Sequence, residues 1–513
     1  MTSEPDIKKR IALNTIFLYM RMLLTIVIGL ITTRLVLLAL GKSDFGIFGV
    51  VGGIVYMLGF LNSAMLQASQ RFISYALGMQ DTHQLRLVFS TSLLTHLAIA
   101  LIVLVISETA GLWFINNHLN IPDDRMAAAN WVFQFSVLTC LVSIFNVPFN
   151  SCIVAHERMR IYAYFTIFEA VGKLLIVFLL NTCNVDKLIL YSGLLFLIQF
   201  LSCSAYALYC RHCFDEVRAP LVFDKPLFGR MFKFASWSII GNLGFSLRNQ
   251  GSNIVLNWFF GTVLNAARSI GTSISAIVNS FAGNFLLALN PQITQQYAQG
   301  RIDKSAQLVY SGSRLSFCLF LLLAIPLLIH TDYILELWLS KVPQYSDFFV
   351  RCIILSALFY SISQPLTIAI QATGRIMWFQ IIICVLLLLE LPAAYFILKL
   401  GAPPYAVMYP TVVTSFIAIF IRLFCLKFLV PFYNVRQYIS EVLFRSFILF
   451  TVCLLSAEIL HRCFPYHSLF GFLFVLSATE IAVLLFTTTI GLKKQERSMV
   501  LHYLKNRLHI NHE

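Results

Sequence analysis

Arginines inside apolar runs set the chemistry of this sequence. Arg21 and Arg34 stand in the run 11–40, Arg248 in 234–260 and Arg268 in 262–289, while Glu169 and Lys173 share the run 161–181. Arginine stays charged in any protein environment, and its planar fork of donors matches phosphate bidentately. Four such groups in apolar segments suit an anionic, diphosphate-bearing ligand better than a neutral solute. Arg21 falls on one helical line with Asn14, Thr25 and Thr32, and Arg268 on one with Thr272, Ser275 and Asn279. Arg34 and Arg248 are turned well away from their neighbours' polar lines, at about 100° per residue. For those two, snorkelling or pairing with a carboxylate competes evenly with a binding role.

Two more polar lines accompany these. Ser238, Asn242, Ser246, Asn249, Asn253 and Asn257 recur at intervals of four or three, as do Gly52, Tyr56, Gly59, Ser63, Gln67 and Gln70. In hydrocarbon such a line must face protein or water, so Asn249, Asn253 and Asn279 join the four arginines as candidate ligand contacts. The competing reading is a set of interhelical hydrogen-bond seams.

Glu169 and Lys173, four apart, can neutralise each other, which favours a structural pair over an ion switch. Glu390, Glu458 and Glu480 have no evident partner in the sequence and lie within apolar runs. Any of them could titrate during a functional cycle, and Glu390 joins Glu169 and Lys173 as a candidate for coupling to Na+ or H+. Cys210-Arg211-His212-Cys213 is half of a metal site with no second pair, so a plain helix end is expected and no metal or other cofactor is called for. No catalytic constellation stands out, and the longest outer connection, 108–125, is too short for a catalytic domain. An enzyme is not expected.

The elements that must position these groups follow from composition. Of 513 residues, 59% are hydrophobic and 12% charged, which excludes a soluble globular enzyme. Fourteen apolar runs of spanning length occur, at 11–40, 45–78, 87–107, 126–150, 161–181, 188–210, 234–260, 262–289, 308–330, 346–370, 378–398, 406–426, 440–461 and 469–491. The expected fold is therefore an all-α polytopic membrane protein of about fourteen transmembrane helices. With the N-terminus inside, the inner connections and both tails hold 21 Lys and Arg against 6 in the outer connections. That asymmetry places both termini in the cytoplasm. The net charge of +14 is thus read by side of the membrane, with no nucleic-acid partner.

The connection 211–233 separates six runs from eight. The division expected is an N-lobe at 1–210, a cytoplasmic linker at 211–233, a C-lobe at 234–426, a terminal helix pair at 427–491 and a tail at 492–513. Tyr75-Ala76-x-Gly78-x-x-Asp81 is echoed by Tyr297-Ala298-x-Gly300-x-x-Asp303, and Pro148, Ala155 and Arg158 by Pro365, Ala372 and Arg375. Each pair of echoes falls after the same run of its half, which predicts a parallel duplication whose first two helices per half flank a polar cleft.

Arg34 followed by Leu40-Gly41-Lys42-Ser43-Asp44-Phe45-Gly46, and then a run ending near Gln70-Arg71, resembles the polysaccharide-biosynthesis flippases of the O-antigen and capsule type. These belong to the multidrug/oligosaccharidyl-lipid/polysaccharide exporter superfamily. The resemblance extends to the fourteen runs and their division, and so to nearly the whole chain. It implies two six-helix lobes that open alternately to each side of the bacterial inner membrane and translocate undecaprenyl-diphosphate-linked oligosaccharide. It also implies cationic cavity residues against the diphosphate, carried over here to Arg21, Arg34, Arg248 and Arg268, and a lipid-tail groove at 440–491. The implied partners are the lipid-linked oligosaccharide and membrane lipid, with association with polysaccharide polymerase machinery left open. The second reading is a cation-coupled multidrug extrusion transporter, against which the first run carries two arginines and no acid. A membrane-embedded polysaccharide polymerase or ligase is a distant third.

Overall fold

The structure, a computed structural model, describes residues 4–56, 59–118, 122–180, 185–260, 263–338, 342–466, 468–493 and 497. Several side chains between 4 and 64 and between 246 and 282 are outside the described set. Long helices follow one another as α1 (Glu4–Tyr56), α2 (Gly59–Met79), α3 (Thr82–Ile106), α4 (Met126–Ala155), α5 (Met159–Leu180), α6 (Lys187–Cys213) and α7 (Lys225–Phe260). The series continues with α8 (Val263–Ala298), α9 (Ile302–Ile329), α10 (Ser346–Thr373), α11 (Met377–Lys399), α12 (Tyr409–Leu429), α13 (Arg445–Cys463) and α14 (Leu469–Phe486). No strand occurs among the described residues. With no water to satisfy the backbone in a bilayer, an all-helical chain is the form these apolar runs must take. Ten of the described helices are long and apolar enough to cross a membrane. The polar lines fall on α1, α2, α7 and α8, where many side chains lie outside the described residues.

Helix limits differ from the apolar runs at several places. The break expected at 41–44 is confined to Gly41, with φ 78° and ψ 171°, after which α1 resumes. The connection 108–125, expected as a loop, stays helical through His118 by way of a π-turn at Ser107–Gly111. α7 begins at Lys225, nine residues ahead of its apolar run. Periodicity reports the stretch that suits lipid, whereas backbone hydrogen bonding carries a helix on into polar surroundings. Local signals set several starts: the Asp81 carboxylate accepts from the Gln84 amide at 2.9 Å, and that of Asp186 from the Leu188 and Ile189 amides.

The chain forms two compact units, Met1–Asn242 with Thr294–Gly300, and Leu243–Ile293 with Arg301–Glu513. In the first, Val132, Phe133 and Val137 of α4 pack with Val51, Ile115 and Leu188, and Val36 packs with Ile176, Leu180 and Tyr191. In the second, Phe349 and Ile353 of α10 pack with Val255, Leu256, Ala267, Leu398 and Met408. Lipid tails are as apolar as these side chains, so close packing and interhelical polar contacts hold the helices together. The terminal pair is joined to α9 and α10 in this way. Tyr433 and Ser305 hydroxyls lie 3.1 Å apart, and the Tyr438 hydroxyl donates to the Ile362 carbonyl at 2.8 Å.

Two features of the first unit carry expectations for stability. Its first repeat motif meets part of the second, because a β-carbon at Gly78 would stand 2.7 Å from both the Ala298 Cβ and the Gln295 carbonyl oxygen. The backbone oxygen cannot yield as a flexible side chain would. Gly78→Ala is therefore expected to cost about 1–3 kcal/mol, read as a lower Tm of the purified protein. An unchanged Tm would show that this close approach is not needed.

The second feature joins three connections. Arg125 donates to the Asp44 carboxylate through Nε at 3.0 Å and to Asp186 Oδ2 through Nη1 at 2.6 Å. Asp44 belongs to the stretch that carried the family resemblance. Burial alone would raise the Asp186 carboxyl, but the Arg125 bond and the Ile189 and Leu188 amides outweigh it and hold it below its ordinary value. A carboxylate with a depressed folded pKa contributes stability above its unfolded value, and loses it as pH falls through the folded one. The Tm should accordingly drop on acidification below about pH 4. Arg125→Met should lower the Tm at neutral pH and make the acid drop shallower. An equally steep drop in that variant would mean that other carboxylates govern it.

Candidate functional site

Arg248 on α7 and Glu390 on α11 meet in the second unit. Gly251, one turn beyond Arg248, lets α7 approach closely, since a β-carbon there would stand 2.5 Å from Leu391 Cδ1. Arg248 Nη1 lies 3.5 Å from Glu390 Oε1, and Glu390 is only 2% exposed. Two hydroxyls from α12 complete the carboxylate's surroundings: Thr411 donates to Oε2 at 2.7 Å and Thr414 donates to Oε1. A buried carboxylate without such partners would be too costly to keep ionised. Glu390, unpaired in the sequence, is thus paired across 142 positions of chain.

Arg268 of α8 belongs to the same neighbourhood, within electrostatic range of both Arg248 and Glu390. It is 4% exposed. It donates to the Asn253 side-chain oxygen, and no carboxylate lies in ion-pair contact with it among the described residues. Arg248 and ionised Glu390 cancel, so the cluster holds one positive charge in excess. Asn249, beside Arg248 in sequence, is partly buried. Asn279 is exposed and stands about 16 Å along α8 from Arg268, so it does not join the cluster.

In the first unit, Arg21 of α1 places its guanidinium carbon 4.9 Å from the centre of the Tyr162 ring on α5. The Tyr206 hydroxyl of α6 is within electrostatic range of both Arg21 and Glu169. Glu169 accepts a 2.5 Å hydrogen bond from Ser202 of α6. The expected Glu169–Lys173 neutralisation is absent from the described ion pairs: Lys173 is exposed, and the α5–α6 interface supplies Ser202 instead. Thr25 and Thr32 bond back to Met22 and Ile28 carbonyls of their own helix, as does Ser238 to Phe234. Those positions of the polar lines satisfy themselves locally. The Arg34, Ser246, Asn257 and Ser275 side chains are outside the described residues.

Sequence reasoning missed two buried arginines of the second unit. Arg422 of α12 is 8% exposed, donates to Ser363 Oγ at 2.6 Å and lies over the Tyr360 ring. Arg314 of α9 is 4% exposed and stands 3.8 Å from Glu441, which Lys493 also meets at 2.5 Å. Each lies near the end of an apolar run, where an arginine reads as a boundary rather than as an interior charge. Glu458 pairs locally with Arg462 at 2.7 Å.

The MatE family model matches residues 238–396, the segment that holds Arg248, Arg268 and Glu390. None of the curated proteins matches the sequence. Several solved structures are similar. An outward-facing multidrug resistance MATE family transporter of the MOP superfamily is 13% identical, with 85% of this chain and all of that chain covered at a TM-score of 0.73. The MATE transporter ClbM in complex with Rb+ is 16% identical, covering 83% of this chain and 97% of that one at a TM-score of 0.66. A mutant of the Vibrio cholerae MATE transporter VcmN is 14% identical, covering 83% and 97% at a TM-score of 0.67. At these identities the likeness concerns the fold. The chain is an all-α polytopic membrane protein with the fold of the MATE transporters.

Proposed function

We propose that this chain is an alternating-access secondary transporter whose cargo bears an anionic head, in its most specific form an undecaprenyl-diphosphate-linked oligosaccharide moved from the cytoplasmic to the periplasmic leaflet. The fold supports membrane transport by alternating access. The observation that carries the choice of cargo is Arg268, buried with a neutral amide as its hydrogen-bond partner beside a self-cancelling Arg248–Glu390 pair. A buried excess positive charge is costly unless an anion arrives to balance it. A diphosphate entering such a site replaces water with fixed donors. Glu390 offers the coupling step: a proton on its carboxyl removes the charge that holds Arg248, which then becomes available to the same anion.

The comparisons favour a second reading, cation-coupled multidrug extrusion. The matched family model and the multidrug resistance transporter among the similar structures support it, as does the buried acid Glu390, which could hold a cation. Against it stand the neutralisation of Glu390 by Arg248 and the lack of any Asp or Glu in the run 11–40.

The cargo classes separate in a clean deletion strain. Accumulation of lipid-linked glycan on the cytoplasmic face, with unchanged drug sensitivity, is the expected outcome. Normal glycan export with raised sensitivity to cationic drugs would select the multidrug reading. At the site, Arg268→Ala should abolish transport at normal protein abundance, and Arg268→Lys should retain part of it through charge alone. An abundant, fully active Arg268→Ala protein would remove the argument for an anion.

The Arg248–Glu390 pair gives a separate test. Arg248→Ala leaves a buried carboxylate without its cation and should cost about 3–5 kcal/mol. Adding Glu390→Gln should restore most of that stability while removing the dependence of transport on a pH gradient. A double variant whose transport still follows the gradient would exclude Glu390 as the coupling group.

A further inference from the structure

The end of α4 and the short helix Asp215–Arg218 bring together a donor set that transport does not use. Cys152 and His156 are four residues apart, so they face the same way at the end of α4. Glu216 comes from the connection after α6, which the Phe214 amide, donating to the Cys210 carbonyl at 2.9 Å, starts to turn back. Arg218 holds that turn by donating through Nε to the Arg211 carbonyl at 2.6 Å. Glu216 is thereby buried against α4, where Cys152 Sγ donates to its Oε1 at 3.3 Å and His156 Nε2 lies 2.6 Å from the same oxygen. Phe214 stacks on the imidazole with ring centres 4.1 Å apart and fixes its plane. Among the described residues this is the one group of three such side chains whose ligand atoms all lie within 4.8 Å of one another.

We propose that Cys152, His156 and Glu216 form a zinc site that staples the connection after α6 to the end of α4. Tetrahedral zinc ligands stand about 3.3–3.5 Å apart. The Cys152–Glu216 separation already fits, and the His156–Glu216 pair needs only to open by well under 1 Å. A thiolate and a carboxylate supply two negative charges, which balance a divalent cation in a site where Cys152 is fully buried and Glu216 is 6% exposed. One sulfur, one imidazole nitrogen and one carboxylate oxygen suit zinc better than copper(I), which favours sulfur, or magnesium, which favours oxygen alone. The buried Cys210 thiol, within electrostatic range of Cys152, or a water takes the fourth position.

The sequence shows why the site escapes a motif search. Cys210 and Cys213 look like half of a pair, yet Cys213 is exposed and the complementary ligands come from another helix and from a carboxylate. The test is zinc content and cobalt titration of the purified full-length chain in detergent, with its affinity tag removed and thiols reduced. The expected result is one tightly held zinc per chain, a sulfur-to-cobalt charge-transfer band on substitution, and a Tm raised by zinc. Cys152→Ser, His156→Ala and the isosteric Glu216→Gln should each weaken binding by more than about 100-fold, beyond the loss typical of an outer-shell partner. Cys213→Ser should bind as the wild type does. The Gln variant keeps the hydrogen bond to His156, so a monodisperse Glu216→Gln protein that no longer gains Tm from zinc supports the site. Substoichiometric zinc in the wild type, or full binding that survives both Cys152→Ser and His156→Ala, would overturn it.

Discussion

A charge inside a bilayer has no water to turn to, so it must find its partners in the protein. The arrangement of this chain depends on that constraint more than on any apolar contact. Leucine and isoleucine gain little by leaving lipid for another helix, whereas Glu390, Arg268, Arg314 and Arg422 are tenable only where particular neighbours meet them. Glu390 has an arginine and two threonine hydroxyls, and Arg422 has a serine hydroxyl and an aromatic ring. Each buried charge thus specifies which helices are adjacent and in what register, a role that apolar packing alone performs poorly.

The same requirement separates groups that close on themselves from a group left open. Arg125 is satisfied by Asp44 and Asp186, and Glu441 by Lys493 with Arg314 nearby. These clamps join connections or helix ends, the first with one carboxylate and the second with one cation in excess. Arg268, like Arg422, has a neutral hydrogen-bond partner and no carboxylate in ion-pair contact among the described residues. Both Arg268 and its neighbour Arg248 lie within the segment that the MatE family model matches.

The connections between helices show polar satisfaction of another kind. Val222 and Asp224 amides after α6 donate to Ser90 and Thr91 of α3, and the Gln295 side chain donates to the Ala155 carbonyl at the end of α4. The connection 211–233 is therefore an anchored element and not a bare tether. The His156–Glu216 contact belongs to this anchoring.

Much of the architecture was legible in the sequence because membrane helices are dictated by composition. Apolar runs of spanning length must become helices, and the polar lines fall on α1, α2, α7 and α8. Pro148 and Pro365 do lie at matching places near the ends of α4 and α10, with Ala155 and Ala372 both fully buried. Tertiary structure alone decided which charges meet. Glu390 stands four long helices beyond Arg248 along the chain, and spacing within α5 suggested Lys173 as the partner of Glu169 where the neighbouring helix provides Ser202. Helical periodicity tells which face a residue occupies, but not which helix that face will touch. The pairing of Cys152 and His156 with Glu216 is of the same kind: spacing aligns two ligands, and only folding of the connection after α6 brings the third.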